Sequence, residues 1–340
     1  MLAALHERYA PQLAKLDELM LGELARWRSA DIDRLWSLTQ AQIQRHGKRL
    51  RPLLSLTMAE HLGGDPGFAV PGAASVELYH TASLILDDVQ DHSEIRRGEP
   101  TINASVSPST AVNVALFVRS LAYHLVNGCT DTDPAERLRI HQELDEAATH
   151  LILGQSIDIG WHEKWYPTYG DFPYDRMIAG KSGALFGCAA AIGACAAGSG
   201  VATITSARDY GTAFGALYQM VDDYLDVFGD ETILRRPRFD DFREGKMTGP
   251  VICLLSELRN QGLPQDMDLV MRGLAGSSPA VRDWEWLLGL MQQHDVAGKL
   301  RKEISERAAR LADPAINAGR RGPASFTELV ELIVAPACQA

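Results

Sequence analysis

The chain has 340 residues, of which 46% are hydrophobic and 23% are charged, a composition typical of a soluble protein with a large core. The net charge of −11 argues against nucleic acid as the main partner, because binding to a phosphate backbone requires a positively charged surface. The five cysteines show no metal-binding spacing and favour a reducing compartment, and the charged N-terminal residues do not resemble a signal peptide.

Helices are the predicted elements throughout. Apolar residues at helical spacing predict helices over residues 13–27, 32–43, 52–62, 73–91, 109–127, 134–158, 174–197 and 203–228. Loops are predicted over residues 65–72 and 230–245, and an aromatic-rich connection over residues 161–173. Helices are expected to recur to the C-terminus, with breaks at residues 262–264, 276–279 and 319–323. The sequence shows neither a strand pattern nor a linker. We therefore expect residues 1–340 to form one all-α domain, a bundle of about ten or more helices around a central cavity.

One apolar stretch raises the question of a membrane span. Residues 182–208 are rich in alanine and glycine and contain no charged residue between their ends. Gly198, Ser199 and Gly200 interrupt the stretch, so we expect a buried helix, a turn and a new helix. Cys188 and Cys195 would lie on one face of the buried helix as packed thiols.

Acidic residues gather at the end of the fourth predicted helix. Asp87, Asp88 and Asp91 form a DDxxD pattern, and side chains four positions apart point to the same side of a helix. Carboxylates that close repel each other, so either a cation lies among them or one of them stays protonated. Oxygen ligands favour Mg²⁺, which keeps coordination positions for phosphate oxygens, and the following Arg96 and Arg97 are suited to binding phosphate. For one such motif alone, a solvated acidic helix end is the alternative interpretation.

A second copy of the motif makes that alternative less favourable. Asp222, Asp223 and Asp226 repeat the spacing at the end of a later predicted helix. Two acidic helix faces that meet across one cavity would bind a polyanion through bridging metal ions. The sequence therefore predicts a site for a diphosphate and Mg²⁺.

Basic residues accompany the two motifs in a specific order. A GKRLRP sequence over residues 47–52 and His80 precede the first DDxxD, RRGEPT follows it, and Lys181 lies between the two motifs. From about residue 40 to the C-terminal helices, this set resembles the trans-type isoprenyl diphosphate synthases, the family of farnesyl and geranylgeranyl diphosphate synthases. The resemblance implies the all-α fold of type I isoprenoid synthases. It also implies Mg²⁺-dependent condensation of isopentenyl diphosphate with an allylic diphosphate, which gives a longer trans-prenyl diphosphate.

The resemblance also implies roles for individual residues. The metal ligands would be Asp87, Asp88, Asp91, Asp222, Asp223 and Asp226. Contacts to the allylic diphosphate are implied for Arg96, Lys181 and Lys246, and contacts to isopentenyl diphosphate for Lys48, Arg51, His80 and Arg97. Gly47 and Arg236 complete the substrate-binding set, and Ser182 and Gln219 would be polar groups near the allylic cation. The family further implies a cytoplasmic homodimer without an integral membrane segment.

Several positions depart from the usual family pattern. The departures are Leu86 for histidine, Ala115-Leu116 for Gly-Asp, Ser182 for threonine, Tyr218 for phenylalanine, Arg236 for lysine, Phe239 for glycine and Gly249 for leucine. Because a phenylalanine disfavours the positive φ that glycine allows, we expect the loop around Phe239 to follow its own path. No departure removes a predicted metal ligand, but together they leave the substrate and product open.

Two other functions stay open at this point. A terpene cyclase or a prenyltransferase with a non-isopentenyl acceptor would share the first DDxxD, although such cyclases usually carry an Asn/Ser/Glu metal motif in place of the second and lack GKRLRP. A non-catalytic regulatory subunit would have no need of six aligned aspartates. We therefore favour the condensing enzyme.

The residues before the first DDxxD bear on product length. The prenyl chain is expected to run from Asp87 toward the start of its helix, where Ala82 and Ser83 are too small to stop it. Tyr79 lies about 12 Å before Asp87 at ~1.5 Å per residue, and its phenol is expected to form the floor. We therefore expect a product of geranylgeranyl length, unless Tyr79 faces a neighbouring helix and another helix sets the length.

Overall fold

The computed structural model describes residues 1–45, 47–128, 133–166, 168–231, 238–275, 284–312 and 324–339. Over these residues the chain is predominantly α-helical, which confirms the predicted all-α fold, and the sheet found among them is a two-stranded ribbon. The chain divides into two compact units. Unit 1 comprises Met1–Ala147 with Leu185–Gly211, and unit 2 comprises Ala148–Ala184 with Thr212–Ala340. That all 340 residues act as one domain stays a prediction.

Unit 1 contains the N-terminal helices and the ribbon. Its helices are α1 (Leu2–Arg8), α2 (Ala10–Ala25), α3 (Asp33–Gln44), α4 (Leu50–His61), α5 (Pro66–Gln90), α6 (Ile102–Ser105) and α7 (Pro108–Gly128). The strands are β1 (Ile95–Arg96) and β2 (Glu99–Pro100). Three helices contribute residues to both units: α8 (Pro134–His162), α10 (Ala184–Ala196) and α11 (Val201–Phe228).

Helix α5 packs against α2, α4 and α7 in the core of unit 1. It is longer than predicted, because the loop expected over residues 65–72 is helical from Pro66 onward. Asp65 caps the helix by accepting a hydrogen bond from the Gly67 amide at 2.8 Å, and Pro66 occupies the first turn, where its missing N–H costs nothing. Pro71 removes one helical hydrogen bond. Burial of the side chains around it outweighs that loss, and the loop prediction was therefore wrong.

The apolar run forms a buried helix, as predicted. Among the described residues, two helices, Pro108–Gly128 and Tyr174–Ala196, are long and apolar enough to cross a membrane. The apolar window is 44% buried inside the protein in the first and 89% buried in the second, as in a core helix. Cys188 and Cys195 are both buried free thiols. Burial raises the pKa of Cys188 well above its usual range and that of Cys195 to about 12, so both stay protonated at neutral pH.

Unit 2 contains the remaining helices, together with the residues that α8, α10 and α11 contribute to it. The remaining helices are α9 (Tyr174–Ile178), α12 (Asp240–Arg243), α13 (Gly249–Asn260), α14 (Pro264–Leu274), α15 (Trp284–Gln293), α16 (Val296–Ala312) and α17 (Ala324–Gln339), and a π-helical turn at Ala179–Gly183 follows α9. Helix α13 packs against α14 and α16, and α16 packs against α15 and α17. The break predicted at residues 262–264 separates α13 from α14, whereas residues 276–279 and 319–323 lie outside the described residues.

The ribbon corrects the expectation that the chain has no strand. Ile95 pairs with Pro100 and Arg96 with Glu99, around a turn in which Arg97 has a φ of 55° and Gly98 a φ of 79°. Two successive residues with positive φ are typical of a tight hairpin. Strands of two residues are too short to show an alternating pattern, which is why the sequence did not reveal them.

Close packing of α10 on α4 gives a first testable prediction. A side chain at Gly193 would overlap the Ser55 carbonyl oxygen and lie 2.7 Å from the Met58 Cβ, so one helix would have to move. We expect Gly193→Ala to lower the free energy of unfolding by about 1–3 kcal/mol in urea denaturation. Gly22→Ala is the matched control, because Gly22 is exposed in α2 with open space around it and alanine favours the helix. An unchanged unfolding midpoint in Gly193→Ala would contradict the close packing.

Candidate active site

The first acidic motif lies at the C-terminal end of α5. Asp87 and Asp88 belong to the last turn of the helix and Asp91 follows directly after it. The partial negative charge of a helix C-terminus adds to their own charge, so this end of the helix requires a cation. Arg96 supplies one: its Nε donates to Asp88 Oδ1 at 2.7 Å and its Nη2 to Asp87 Oδ2 at 2.9 Å.

The aspartates of this motif differ in accessibility. Asp88 is buried, with 6% of its surface exposed, whereas Asp87 and Asp91 are half-buried. Burial raises the pKa of Asp88, the charges of Asp87 and Asp91 raise it further, and Arg96 opposes the shift. Asp88 is therefore the inner carboxylate that Arg96 fixes, and Asp87 and Asp91 are more exposed than Asp88.

In the turn of the ribbon, Arg97 contacts the start of the GKRLRP segment and a residue just before it. The Arg97 Nη1 donates to the Arg45 carbonyl oxygen at 2.9 Å. A Cβ atom at Gly47 would lie 2.7 Å from Arg97 Nη2, so a larger residue there would displace the guanidinium group. The structure thus brings together Gly47 and Arg97, both of which were predicted to bind substrate.

His80 and Arg51 belong to the same basic region of unit 1. Burial and the positive charges of Arg51 and Arg97 hold the pKa of His80 well below its usual range, so its imidazole is neutral at neutral pH. The Arg51 guanidinium lies over the Phe186 ring, 4.3 Å from its centre, and this contact directs its side chain. Lys48, by contrast, is exposed.

One arginine of the GKRLRP segment has a structural role instead. Arg49 is only 8% exposed, and its Nη1 donates to Glu77 Oε1 at 2.9 Å and its Nη2 to Asp17 Oδ1 at 2.7 Å. Its backbone has a φ of 52°, in the left-handed region. The ion pairs hold this conformation between two helices. The charge of Arg49 therefore serves the fold of unit 1, while its neighbours in sequence line the basic region.

The second acidic motif is centred on the buried Asp223. Its Oδ2 accepts hydrogen bonds from the Tyr174 phenol at 2.8 Å and from the Gly249 amide at 3.0 Å, and its Oδ1 accepts one from Gln219 Nε2 at 2.8 Å. Burial raises the pKa of Asp223, and these donors oppose the shift because they stabilise the carboxylate. Asp222 is half-buried and more accessible than Asp223, which is 2% exposed.

The polar residues on the π-helical turn connect to this motif. The Ser182 hydroxyl donates to Gln219 Oε1 at 2.5 Å, and Gln219 in turn donates to Asp223. Lys181 Nζ donates to Asp158 Oδ2 at 2.6 Å, so a buried carboxylate of α8 directs the lysine. A π-helical turn inside a longer helix is frequently found at functional sites. Here it carries Lys181 and Ser182, which the sequence analysis had singled out.

The structure corrects one expectation for the segment after the second motif. Phe239 has a φ of 61°, so the expectation that phenylalanine would avoid this conformation was wrong. Its ring is 2% exposed and its amide donates to the Asp226 carbonyl oxygen at 2.8 Å. Burying such a ring contributes about 1.5–3 kcal/mol, which outweighs the roughly 1–2 kcal/mol cost of the left-handed conformation.

A further carboxylate near the second motif was missed by the sequence analysis. Burial and the charge of Asp226 raise the pKa of Asp241 well above its usual range, and Lys246 opposes the shift. Lys246 Nζ lies 3.9 Å from Asp241 Oδ1 and pairs with Glu244 Oε2 at 2.6 Å. The acidic pair Asp240-Asp241 shortly before Lys246 was the available signal. Arg236, the remaining predicted contact, lies outside the described residues.

The aromatic connection packs on the segments that carry these groups. The Trp161 Nε1 donates to the Gly245 carbonyl oxygen and the Tyr169 phenol to the Leu255 carbonyl oxygen, each at 3.2 Å. The Trp161 and Phe172 rings meet edge to face with centres 5.7 Å apart. The aromatic side chains of the connection therefore have a packing role.

The donor set fits Mg²⁺ in kind. Within the described ranges, no group of three or more His, Cys, Asp or Glu side chains stands close enough to hold a metal ion without adjustment. The half-buried Asp87, Asp91 and Asp222 present the carboxylate oxygens that Mg²⁺ prefers. Arg96 already compensates the charge of Asp87 and Asp88 with hydrogen bonds, which shows that this end of α5 is built to hold positive charge.

Comparison with known proteins identifies similar chains. The family model described as polyprenyl synthetase matches residues 33–269. The short chain isoprenyl diphosphate synthase of Methanothermobacter thermautotrophicus is 38% identical over 210 residues, which cover 62% of this chain and 63% of that protein, slightly less than two thirds. The geranylfarnesyl diphosphate synthase of Aeropyrum pernix is 34% identical over 242 residues, covering 70% of this chain and 74% of that protein.

Solved structures give the same grouping. The decaprenyl diphosphate synthase from Rhodobacter capsulatus superposes with a TM-score of 0.83 at 28% sequence identity, and the superposition covers 100% of this chain and 99% of that chain. The likeness therefore extends beyond the residues that the family model matches.

The separate roles of neighbouring basic residues give a second prediction. We expect Arg49→Met to lower the free energy of unfolding by about 3–5 kcal/mol, because it leaves the buried Glu77 carboxylate without its partner. Lys48→Met, which changes an exposed charge next to it, should leave the unfolding midpoint close to that of the wild type. Urea unfolding of both variants measures the difference. Equal midpoints would show that the Arg49 ion pairs contribute no stability.

Proposed function

Because the chain belongs to the polyprenyl synthetase family, we propose that it is a prenyltransferase that joins isopentenyl diphosphate to an allylic diphosphate. The products are a longer trans-prenyl diphosphate and inorganic diphosphate. The observation that carries the proposal is the group of Asp87, Asp88 and Arg96 next to the basic region of His80 and Arg97. Carboxylates for Mg²⁺ and cations for two diphosphates are the groups this chemistry requires.

The reaction places specific demands on these residues. The allylic C–O bond breaks and the diphosphate leaves with the electron pair, the double bond of isopentenyl diphosphate attacks the allylic carbon, and a proton is lost. Bound Mg²⁺ would neutralise charge on the departing diphosphate. Arg96, Lys181 and Lys246 would be charge-assisted donors to diphosphate oxygens, and Ser182 and Gln219 would contribute polar groups that stabilise the allylic cation.

The basic region of unit 1 is the proposed site for isopentenyl diphosphate. Arg51 and Arg97 would bind its phosphate oxygens in pairs of hydrogen bonds, and the exposed Lys48 would add a third positive charge. The neutral imidazole of His80 would donate one N–H to a phosphate oxygen. Gly47 leaves the space that the Arg97 guanidinium occupies.

We further propose that the outer aspartates bind the metal and the inner ones support them. Asp87, Asp91 and Asp222 are half-buried and would be direct Mg²⁺ ligands. Asp88 and Asp223 are each engaged by donors of the protein, and in this proposal they support the direct ligands. Asp226, whose Oδ1 accepts from the Asp240 amide at 3.2 Å, completes the proposed set.

Tyr79 is the proposed floor of the prenyl site, together with α7. It is 4% exposed, and its ring meets that of Tyr123 edge to face with centres 6.4 Å apart. The Arg119 guanidinium lies 5.8 Å from the Tyr79 ring centre, and the Tyr123 phenol donates to Asp145 at 2.8 Å. Tyr79 thus faces a neighbouring helix, which is the first part of the alternative that the sequence left open, and in this proposal α7 and Tyr79 limit the chain together. A product of geranylgeranyl length is proposed, in line with relatives named geranylgeranyl and geranylfarnesyl diphosphate synthases.

The direct test is product analysis of the purified chain. It is incubated with Mg²⁺, isopentenyl diphosphate and one short allylic diphosphate at a time, and the products are identified by mass spectrometry. A longer linear prenyl diphosphate supports the proposal, whereas a cyclic hydrocarbon would indicate a cyclase. Absence of any product from the chain alone would favour a regulatory subunit. We also propose that the protein is cytoplasmic and forms a homodimer, as the family implies, and that the homodimer is the form to assay.

We expect Asp87→Ala and Asp222→Ala each to reduce turnover by roughly two or more orders of magnitude. Each ~1.4 kcal/mol of lost stabilisation costs about tenfold in rate, and each variant loses a proposed direct metal ligand. Steady-state kinetics at saturating substrate measures the loss. Asp268→Ala, which removes an exposed carboxylate paired with Arg272, is the matched control. Near-normal turnover of Asp87→Ala or Asp222→Ala would disprove the metal assignment.

We expect Tyr79→Ala to extend the products by one or more isoprene units, because it removes the phenol from the proposed floor. Chromatography of the dephosphorylated products measures their length. Tyr9→Ala is the control, since it also removes a buried phenol from unit 1 but not from α5 or α7. An unchanged product distribution in a folded Tyr79→Ala protein would show that Tyr79 does not limit the chain.

A further inference from the structure

We propose that Tyr174 is a positioning residue for the second acidic motif, and that residue 249 is a glycine because any side chain there would displace the Tyr174 phenol. The inference deepens the proposed function, on which it rests, by adding two residues that hold Asp223 in place. Neither residue belongs to the acidic or basic motifs of the sequence.

Three elements of unit 2 converge on the Asp223 carboxylate. Tyr174, the first residue of α9, and Gly249, the first residue of α13, both donate to Oδ2, at 2.8 Å and 3.0 Å. Gln219, one turn earlier on α11, donates to Oδ1 at 2.8 Å. A buried carboxylate with donors on both oxygens from separate elements cannot rotate without breaking a hydrogen bond.

Asp223 also satisfies the start of α13. The first amides of a helix have no partner within it, and the side chain of Thr248 at the N-cap makes no capping hydrogen bond to them. The Gly249 amide is one of these groups, and it donates to Asp223 from the positive end of the helix dipole. The two interactions therefore depend on each other: α13 stabilises the carboxylate, and the carboxylate caps α13.

The lack of space at position 249 explains why the residue there is a glycine. A Cβ atom there would lie 2.9 Å from the Tyr174 phenol oxygen and 3.4 Å from its Cζ atom. The Cβ of an alanine would press on the phenol, and so would the Cβ of the leucine expected at this position from the family resemblance. The glycine and the tyrosine are thus a matched pair, and the departure at residue 249 acquires a physical reason.

Tyr174 acts on the site through other groups. Its hydrogen bond to Asp223 continues through Gln219 to the Ser182 hydroxyl on the π-helical turn. When the phenol oxygen is removed, Asp223 and Gln219 gain freedom to rotate next to Asp222. Removing outer-shell groups of a metal site typically changes metal affinity or activity by about 10–100-fold, and Tyr174 fixes one such group, Asp223. We expect the affinity for Mg²⁺ and diphosphate to fall in this range while the fold is kept.

The experiment uses the full chain and four variants: Tyr174→Phe, Gly249→Ala, the double variant, and Tyr169→Phe. The first readout is the Mg²⁺ concentration that gives half-maximal prenyl transfer. The second is calorimetric affinity for inorganic diphosphate at fixed Mg²⁺, which requires no turnover. Melting temperature reports the fold. Tyr169→Phe is the matched control, because it removes a phenol that bonds the Leu255 carbonyl oxygen in the same unit.

The expected result is roughly tenfold or greater weakening in both readouts for Tyr174→Phe, with values close to wild type for Tyr169→Phe. Gly249→Ala should also weaken the affinity for Mg²⁺ and the affinity for diphosphate. The double variant should bind Mg²⁺ and diphosphate no more weakly than the single variant with the lower affinity, because the added methyl group has no phenol oxygen left to displace. Wild-type affinities in Tyr174→Phe would overturn the positioning role, and additive losses in the double variant would overturn the pairing.

The outcome is separable from that of the proposed function. A wild-type chain that binds diphosphate with Mg²⁺ but forms no prenyl product would contradict the proposed function, and calorimetry would still decide the role of Tyr174. If Gly249→Ala fails to fold, Tyr174→Phe with its control decides the positioning role. The inference would be overturned if Tyr174→Phe and Tyr169→Phe lowered the melting temperature equally and bound diphosphate with the same affinity.

Discussion

Repulsion between neighbouring carboxylates is the constraint on which both acidic motifs depend. Adjacent aspartates at the end of a helix stay ionised only if positive charge or hydrogen-bond donors compensate them. At the first motif, Arg96 bonds both Asp87 and Asp88. At the second, Asp223 accepts from Tyr174, Gly249 and Gln219. In each motif the second aspartate is turned inward and held by the protein, while the first is more accessible.

The backbone near these groups is held in conformations that most residues avoid. Arg49, Arg97 and Phe239 have positive φ, and each is fixed by contacts that outweigh the cost. Arg49 is bound by two carboxylates, Arg97 bonds a carbonyl oxygen across the ribbon, and the Phe239 ring is buried. Such residues often cluster at functional sites, where the surrounding structure determines the conformation. Here they set the direction of the segments that carry the basic and acidic groups.

Most helices could be predicted from the sequence, because apolar periodicity extends over several turns and averages out local exceptions. The failures have a common cause. The start of α5 looked like a loop because Pro71 lies inside it, and Phe239 looked unable to take a positive φ. In both cases burial of nearby side chains outweighs a local preference of about 1–3 kcal/mol. The two-residue strands were too short to leave a pattern.

The sequence by itself determined the helical class, the two acidic motifs, the basic segments and, through them, the family. These features depend on residue type and spacing along one chain, which the sequence states directly. Only the tertiary structure decided which groups engage which aspartate: that Arg49 binds Glu77, that Asp241 lies near Asp226, and that Tyr174 bonds Asp223. Such partners come from elements far apart in sequence, and their meeting depends on how helices pack, which spacing along the chain does not encode.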